Sequence, residues 1–386
     1  GAPSIVLDKG TFIGKSVNRT DQYLGIPYAQ PPVGNMRFHL PEAAGPYHGV
    51  YNATTFGDIC PQDLNPLVSG SGAVYLEPAE AVYDETFPPP NVTQSEDCLN
   101  LNVYMPAGTK SGANLPVVVW LPPGNRYHIS PTHFDGAVIV EHSVKMNQPV
   151  ILVSINYRLN AFGFLPGQEA KDAGITNLGL RDQRQALRWV QQYISEFGGD
   201  TSRVTMWGVN AGSISAGFQM LNNGGDSEGL FSGAWMQSGI PLPLNTYSDL
   251  QDTYDILVNQ TSCQGSSDSL DCLRQLPFDE LYQAMLTSPQ FQRFGRWQIV
   301  LDYDFIAEQP ETLLSQGKAA RVPFIISCTD DEGTIGALNL TDITTDNGTA
   351  TWIMEEGLPG VSMEQVEQIF ALYPSDPAAG SPFDTG

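Results

Sequence analysis

Basic side chains are scarce in this chain. Eighteen lysines and arginines stand against 42 aspartates and glutamates in 386 residues, a formal net charge of −24. A field of that sign repels phosphate backbones and anionic membrane surfaces, which excludes nucleic acid as a partner. Long hydrophobic runs are absent as well: no apolar stretch approaches the roughly 18 residues needed to span a bilayer, so no transmembrane anchor is expected. The chain also lacks a phosphate-cradling glycine loop and a His/Cys/Asp/Glu cluster at ligand spacing, so neither a metal nor a cofactor is expected. Linkers, internal repeats and low-complexity tracts are missing too, and residues 1–386 read as one domain. There is no signal peptide either; the opening Gly1-Ala-Pro-Ser reads as a processed N-terminus.

What is present is ample apolar material, 41% of the residues, enough for a core and unlike a disordered chain. Leu115-Pro-Val-Val-Val-Trp-Leu121 and Pro149-Val-Ile-Leu-Val-Ser-Ile155 are short apolar runs rich in β-branched residues, the pattern of strands buried on both faces. Val204-Thr-Met-Trp207 and Phe324-Ile-Ile-Ser327 add further buried strands. Leu187, Val190, Ile194 and Phe197 recur at helical spacing, and Gly198-Gly199 stops that helix. Strands alternating with helices over this length predict an α/β fold, a mostly parallel central sheet flanked by helices.

One pentapeptide carries chemical information through what it omits. The strand Arg203-Val-Thr-Met-Trp207 runs into Gly208-Val209-Asn210-Ala211-Gly212, and the small-residue helix start Ala211-Gly-Ser-Ile-Ser-Ala-Gly217 runs out. This is the strand–turn–helix context in which Gly-x-Ser-x-Gly lifts a serine hydroxyl above the end of a sheet. Here the centre is Asn210, whose amide has no ionisable group to attack a carbonyl. Asn tolerates positive φ better than most residues with a Cβ, so it keeps the turn while removing the nucleophile. Alone, the pentapeptide is equally a chance Gly-x-Asn-x-Gly in an ordinary turn; the flanking sequence decides.

Reading outward, Tyr23-Leu-Gly-Ile-Pro-Tyr-Ala-Gln-Pro-Pro-Val-Gly34 and Ser95-Glu-Asp-Cys-Leu-Asn-Leu-Asn-Val-Tyr104 come first. Ile155-Asn-Tyr-Arg-Leu-Asn-Ala-Phe-Gly-Phe-Leu165 and Asn177-Leu-Gly-Leu-Arg-Asp-Gln-Arg-Gln-Ala-Leu-Arg-Trp-Val190 follow, then Glu196-Phe-Gly-Gly-Asp200 and Gln237-Ser-Gly239. On these segments the chain closely resembles the type-B carboxylesterase family, which includes cholinesterases and secreted fungal lipases. The fungal lipase branch is the nearest, on the opening and on Tyr373-Pro-Ser-Asp-Pro and Ser381-Pro-Phe-Asp-Thr-Gly386. The resemblance implies an α/β-hydrolase fold and a carboxylic-ester hydrolase framework, with the C-terminal part of the family fold missing from this chain. Gly386 then reads as a cleavage point or a break.

The resemblance also permits an audit of the catalytic parts. Asn210 falls at the nucleophile position and Glu332, in Asp331-Glu-Gly-Thr334, at the triad acid, although alone it reads as a carboxylate at a helix start. Gly124, Asn125 and Ala211 fall at the oxyanion donors, yet Pro122 and Pro123 interrupt the family's glycine run, and Pro123 has no N–H. A surface loop turning at Gly124 is the other reading of that stretch. Val209 replaces an acidic residue common in the family bend. The base is absent, because all five histidines, His39, His48, His128, His133 and His142, precede Glu332, whereas the family's follows it. Ser213 lies one helical turn from Asn210 with its hydroxyl expected in helix packing. Arg37 with Glu96, and Arg158 with Asp182, correspond to framework ion pairs.

Disulfides Cys60–Cys98 and Cys263–Cys272 are implied by the same resemblance, leaving Cys328 as an inert buried thiol. The loop 60–98 reads either as a lid over an acyl-binding tunnel or as a stapled surface excursion. Six N-x-T sequons, at Asn18, Asn52, Asn91, Asn259, Asn339 and Asn347, point to a secreted glycoprotein. The expectation is therefore a secreted, catalytically impaired carboxylesterase-type protein. It binds an apolar or acyl-ester small molecule or a protein partner, with a C-terminal fragment of the same protein as a further candidate partner. The alternative is an active ester hydrolase whose chain is incomplete, engineered or misassigned at position 210.

Overall fold

The β-branched runs of the sequence become the inner strands of one sheet. The computed structural model describes residues 1–62, 92–124, 130–287, 297–330, 332, 343–358 and 361–374. In chain order the described strands are β1 Ser4–Leu7, β2 Lys9–Ile13, β3 Lys15–Val17, β4 Thr20–Pro27, β5 His48–Asn52 and β6 Asn100–Pro106. They continue with β7 Leu115–Leu121, β8 Ile151–Ile155, β9 Gly199–Val209, β10 Gly233–Gln237 and β11 Phe324–Ser327. The described helices include α1 Gly136–Lys145, α2 Leu178–Tyr193, α3 Ala211–Leu221, α4 Asp346–Trp352 and α5 Met363–Leu372.

Eight strands form the main sheet in the order β11-β10-β9-β7-β8-β6-β4-β3. Neighbours from β11 to β8 run parallel, and β6, β4 and β3 join antiparallel. The expected mostly parallel sheet is thus observed. A smaller sheet, β1-β2-β5, stands beside it. Parallel order leaves the C-terminal ends of β7, β9 and β10 along one edge, where α/β sheets place their ligands. Every residue of β8 is buried, as its unbroken apolar run requires. The helix read from Leu187 to Phe197 is α2, tightening into a 3₁₀ turn over Ile194–Phe197 and stopped by Gly198 at φ 86°.

The described residues fall into two compact units, Gly1–Thr329 and Asp330–Gly386. The first holds both sheets and the large apolar core. In the second, Ala350, Ile353 and Val366 bring α4 and α5 around a small cluster of their own.

Both disulfides form, Cys60–Cys98 across 38 residues and Cys263–Cys272 across nine. Both framework ion pairs form as well, Arg37–Glu96 and Arg158–Asp182, each at 2.6 Å. Arg158 meets Asp182 through Nε and Nη2 while its Nη1 donates to the His39 carbonyl, so each nitrogen of the buried guanidinium has an acceptor.

One expectation fails. Phe324-Ile-Ile-Ser327 reads as a buried strand, yet Phe324, Ile325 and Ile326 are 55%, 59% and 51% exposed. Cys328, expected to be buried, is exposed too. The cause is position: β11 is an edge strand paired with β10, and its apolar side chains find no cover on either face among the described residues.

Candidate active site

The bend after β9 is enforced by its neighbours. Asn210 sits at φ 52°, ψ −118°, outside the small left-handed region that asparagine enters readily. Two glycines make the bend sterically obligatory. A Cβ on Gly208 would come within 2.2 Å of the Gly212 carbonyl carbon, and one on Gly212 within 2.0 Å of the Leu121 carbonyl oxygen. The Asn210 N–H donates to the Gln237 carbonyl at 2.9 Å, tying the bend to the end of β10. Its own carbonyl accepts the Ile214 N–H at 3.0 Å, the first bond of α3.

Helix α3 therefore starts at Ala211, which is fully buried. N–H groups in a first helical turn have no intrahelical acceptor and carry the positive end of the helix dipole. Such a helix start holds a carbonyl or carboxylate oxygen. The loop after β7 runs past this point, and the Pro122 carbonyl lies 3.0 Å from where a Gly212 Cβ would stand. Gly124 turns the loop at φ 104°, a conformation that suits glycine. Asn125, His128 and Asn91 lie outside the described residues, as do Asn339 and most of the 60–98 loop, including its apolar side at Leu64 to Leu76.

Tyr157 was not singled out by the sequence. Its hydroxyl donates to the Pro122 carbonyl at 3.0 Å and so pins the loop from β8. Thirty-five residues separate the two, and no periodicity links them. A tyrosine immediately after an apolar strand was the available signal.

Other side chains at this edge are committed to structure. Ser213 is fully buried, and its hydroxyl donates to the Gly239 carbonyl at 2.6 Å, as the helix-packing reading expects. His133 belongs to a turn: its Nδ1 faces the Ser130 N–H at 3.1 Å, and burial holds its pKa below the ordinary value. Glu332 is exposed and belongs to the second compact unit. Among the described residues, no three His, Cys, Asp or Glu side chains are grouped to hold a metal.

A mostly parallel sheet whose β9 ends in a strained bend, locked by two interdigitated glycines against the next helix, defines the α/β-hydrolase class. Comparison with known proteins narrows that class. The chain belongs to the carboxylesterase family, whose model matches residues 1–357. It is 38% identical to Lipase 4 of Diutina rugosa, over all of this chain and 72% of the relative. It is 35% identical to Secreted triacylglycerol lipase LIP1 of Gibberella zeae, over 99% of this chain and 66% of that one. The crystal structure of Aspergillus niger EstA superposes with a TM-score of 0.81 at 28% identity, covering 97% of this chain and 68% of that one.

Proposed function

We propose that this chain is a secreted glycoprotein that retains the ester-binding frame of its family and binds an apolar or acyl-ester ligand without hydrolysing it. The observation that carries this reading is Asn210 at the tip of the bend, in a backbone conformation suited to presenting a side chain above the sheet edge. In this reading the carboxamide takes the place of the attacking hydroxyl. No acyl-enzyme then forms, because an amide nitrogen is neither nucleophilic nor ionisable near neutral pH. Loss of the nucleophile in serine hydrolases costs on the order of 10⁶ in turnover. The N–H groups of Ala211 and the Gly124 loop would still receive a carbonyl oxygen, which makes binding the surviving capacity.

Secretion is supported by relatives named as secreted lipases and by four sequon asparagines, Asn18, Asn52, Asn259 and Asn347, all exposed. The names of the relatives also favour a second reading, an active ester hydrolase carrying a serine at position 210 in its source. One experiment separates the two. Protein from source material is incubated with a fluorophosphonate probe and p-nitrophenyl butyrate, and the peptide 207–215 is sequenced by mass spectrometry. Asparagine at 210 with neither adduct nor turnover, together with saturable binding of a fluorescent acyl ester, supports the proposal. Turnover accompanied by a phosphonyl adduct in that peptide overturns it.

A further inference from the structure

A second recess lies between the β1–β2 turn, the segment before β5 and one face of α2. It has a volume of about 150 Å³ and shares no lining residue with the bend or the Pro122–Gly124 loop. Gln185, Trp189 and Gln192, at i, i+4 and i+7 of α2, supply one wall, with Tyr193 beside them. Tyr47 supplies another. Its ring lies 5.5 Å from that of Tyr193 at 54°, and the Trp189 ring lies 5.5 Å from Tyr193 at 48°. These rings are fixed: the Trp189 indole N–H donates to the Tyr47 hydroxyl at 2.8 Å, and that hydroxyl donates to the Pro27 carbonyl.

Asp8 brings the only formal charge to the lining. It sits in the β1–β2 turn at φ 51° and is exposed. Its Oδ2 accepts the Tyr47 N–H at 3.0 Å and the Tyr193 hydroxyl at 2.8 Å, which aims the carboxylate. Its Oδ1 makes no hydrogen bond among the described residues. Burial and the Asp8 carboxylate push the Tyr193 hydroxyl up to about 12, so it stays protonated as a donor.

We propose that this recess binds a small organic cation, an alkylammonium of about five or six non-hydrogen atoms. A cavity of about 150 Å³ holds a molecule the size of benzene, which sets that size. An anchored carboxylate with a free oxygen matches an ammonium by charge pairing, and Tyr193, 8% exposed, adds cation–π attraction above a floor of Tyr47 and Trp189 at 3% each. No lysine or arginine lines the recess to compete for the carboxylate. The overall negative field raises the local concentration of cations and disfavours anions.

The test titrates the full chain with tetramethylammonium chloride, read by Trp fluorescence and by ligand-observed NMR, with tert-butanol, a neutral molecule of similar size and shape, as the uncharged near-isostere. Saturable millimolar binding that weakens by at least about tenfold in Asp8→Asn, and that tert-butanol does not reproduce, is expected. Gln192→Lys, which places a competing ammonium in the recess, abolishes the signal. This second variant carries the test if Asp8→Asn unfolds by circular dichroism. No saturation below about 50 mM, equal binding by both variants, or equal binding of the neutral isostere overturns the proposal.

Discussion

At residue 212 a single added methyl group decides whether the bend can exist. The Gly212→Ala side chain meets the Leu121 carbonyl at 2.0 Å, a backbone atom that cannot rotate away. The expected loss is about 3 kcal/mol, the upper end for overpacking, measured as a shift of the urea midpoint at unchanged slope. Asn210→Gly, by contrast, relieves strain and should leave that midpoint unchanged or higher. A residue-scale pH effect belongs to Glu228. Burial raises its carboxyl pKa, but the Arg184 and Arg188 guanidinium groups outweigh that and hold it below the ordinary value. A depressed carboxyl stabilises the fold above its unfolded pKa, about 4.3, and that stability fades as pH falls through the lower folded value. Glu228→Gln should therefore flatten the decline in stability from about pH 5 downward, followed by urea titrations at each pH. Equal acid sensitivity in both proteins would count against the pairing. Much of this scale was legible in the sequence. Gly208, Gly212 and Asn210 stood out because small residues at fixed spacing have a steric meaning. The Tyr157–Pro122 contact and the Asp8 recess were hidden, since each joins residues that are remote in the chain and unremarkable in composition.

Among elements, β11 departs furthest from its sequence pattern. Its Phe-Ile-Ile run has the composition of an inner strand, yet among the described residues it is the last strand of the sheet, which composition does not reveal. An exposed apolar edge is a template for pairing between chains. Ile325→Lys is expected to raise the soluble fraction of the expressed chain, measured by sedimentation after heating; unchanged aggregation would locate the sticky surface elsewhere. The inner strands β7, β8 and β9 were legible because β-branched runs bounded by Pro, Gly or Asn have few other uses. The extent of β9 was not: its first residues, Gly199–Arg203, are polar and join the strand through pairing to β7. The staple Cys60–Cys98 closes 38 residues and Cys263–Cys272 closes nine. In the chain-entropy model the first contributes about 4 kcal/mol and the second about 2.6. Replacing Cys60 and Cys98 by serine should thus lower the urea midpoint more than replacing Cys263 and Cys272.

Across the whole molecule, the formal charge of −24 works against compactness through self-repulsion. Raising NaCl from about 10 to about 150 mM shortens the Debye length to about 8 Å and should raise the thermal midpoint. A flat or falling midpoint in scanning fluorimetry would show that ion pairs such as Arg184–Glu228, which salt weakens, outweigh the repulsion. The fold class was readable at this scale from the alternation of strands and helices, and the family from its motifs. The interlock of Gly208, Gly212 and the Leu121 carbonyl has a genetic corollary. Asparagine codons differ from two serine codons by one transition at the middle base. Since Gly208, Gly212 and backbone hydrogen bonds set the bend, that single base change would exchange carboxamide for alcohol at a position whose main-chain path is already laid, in either evolutionary direction.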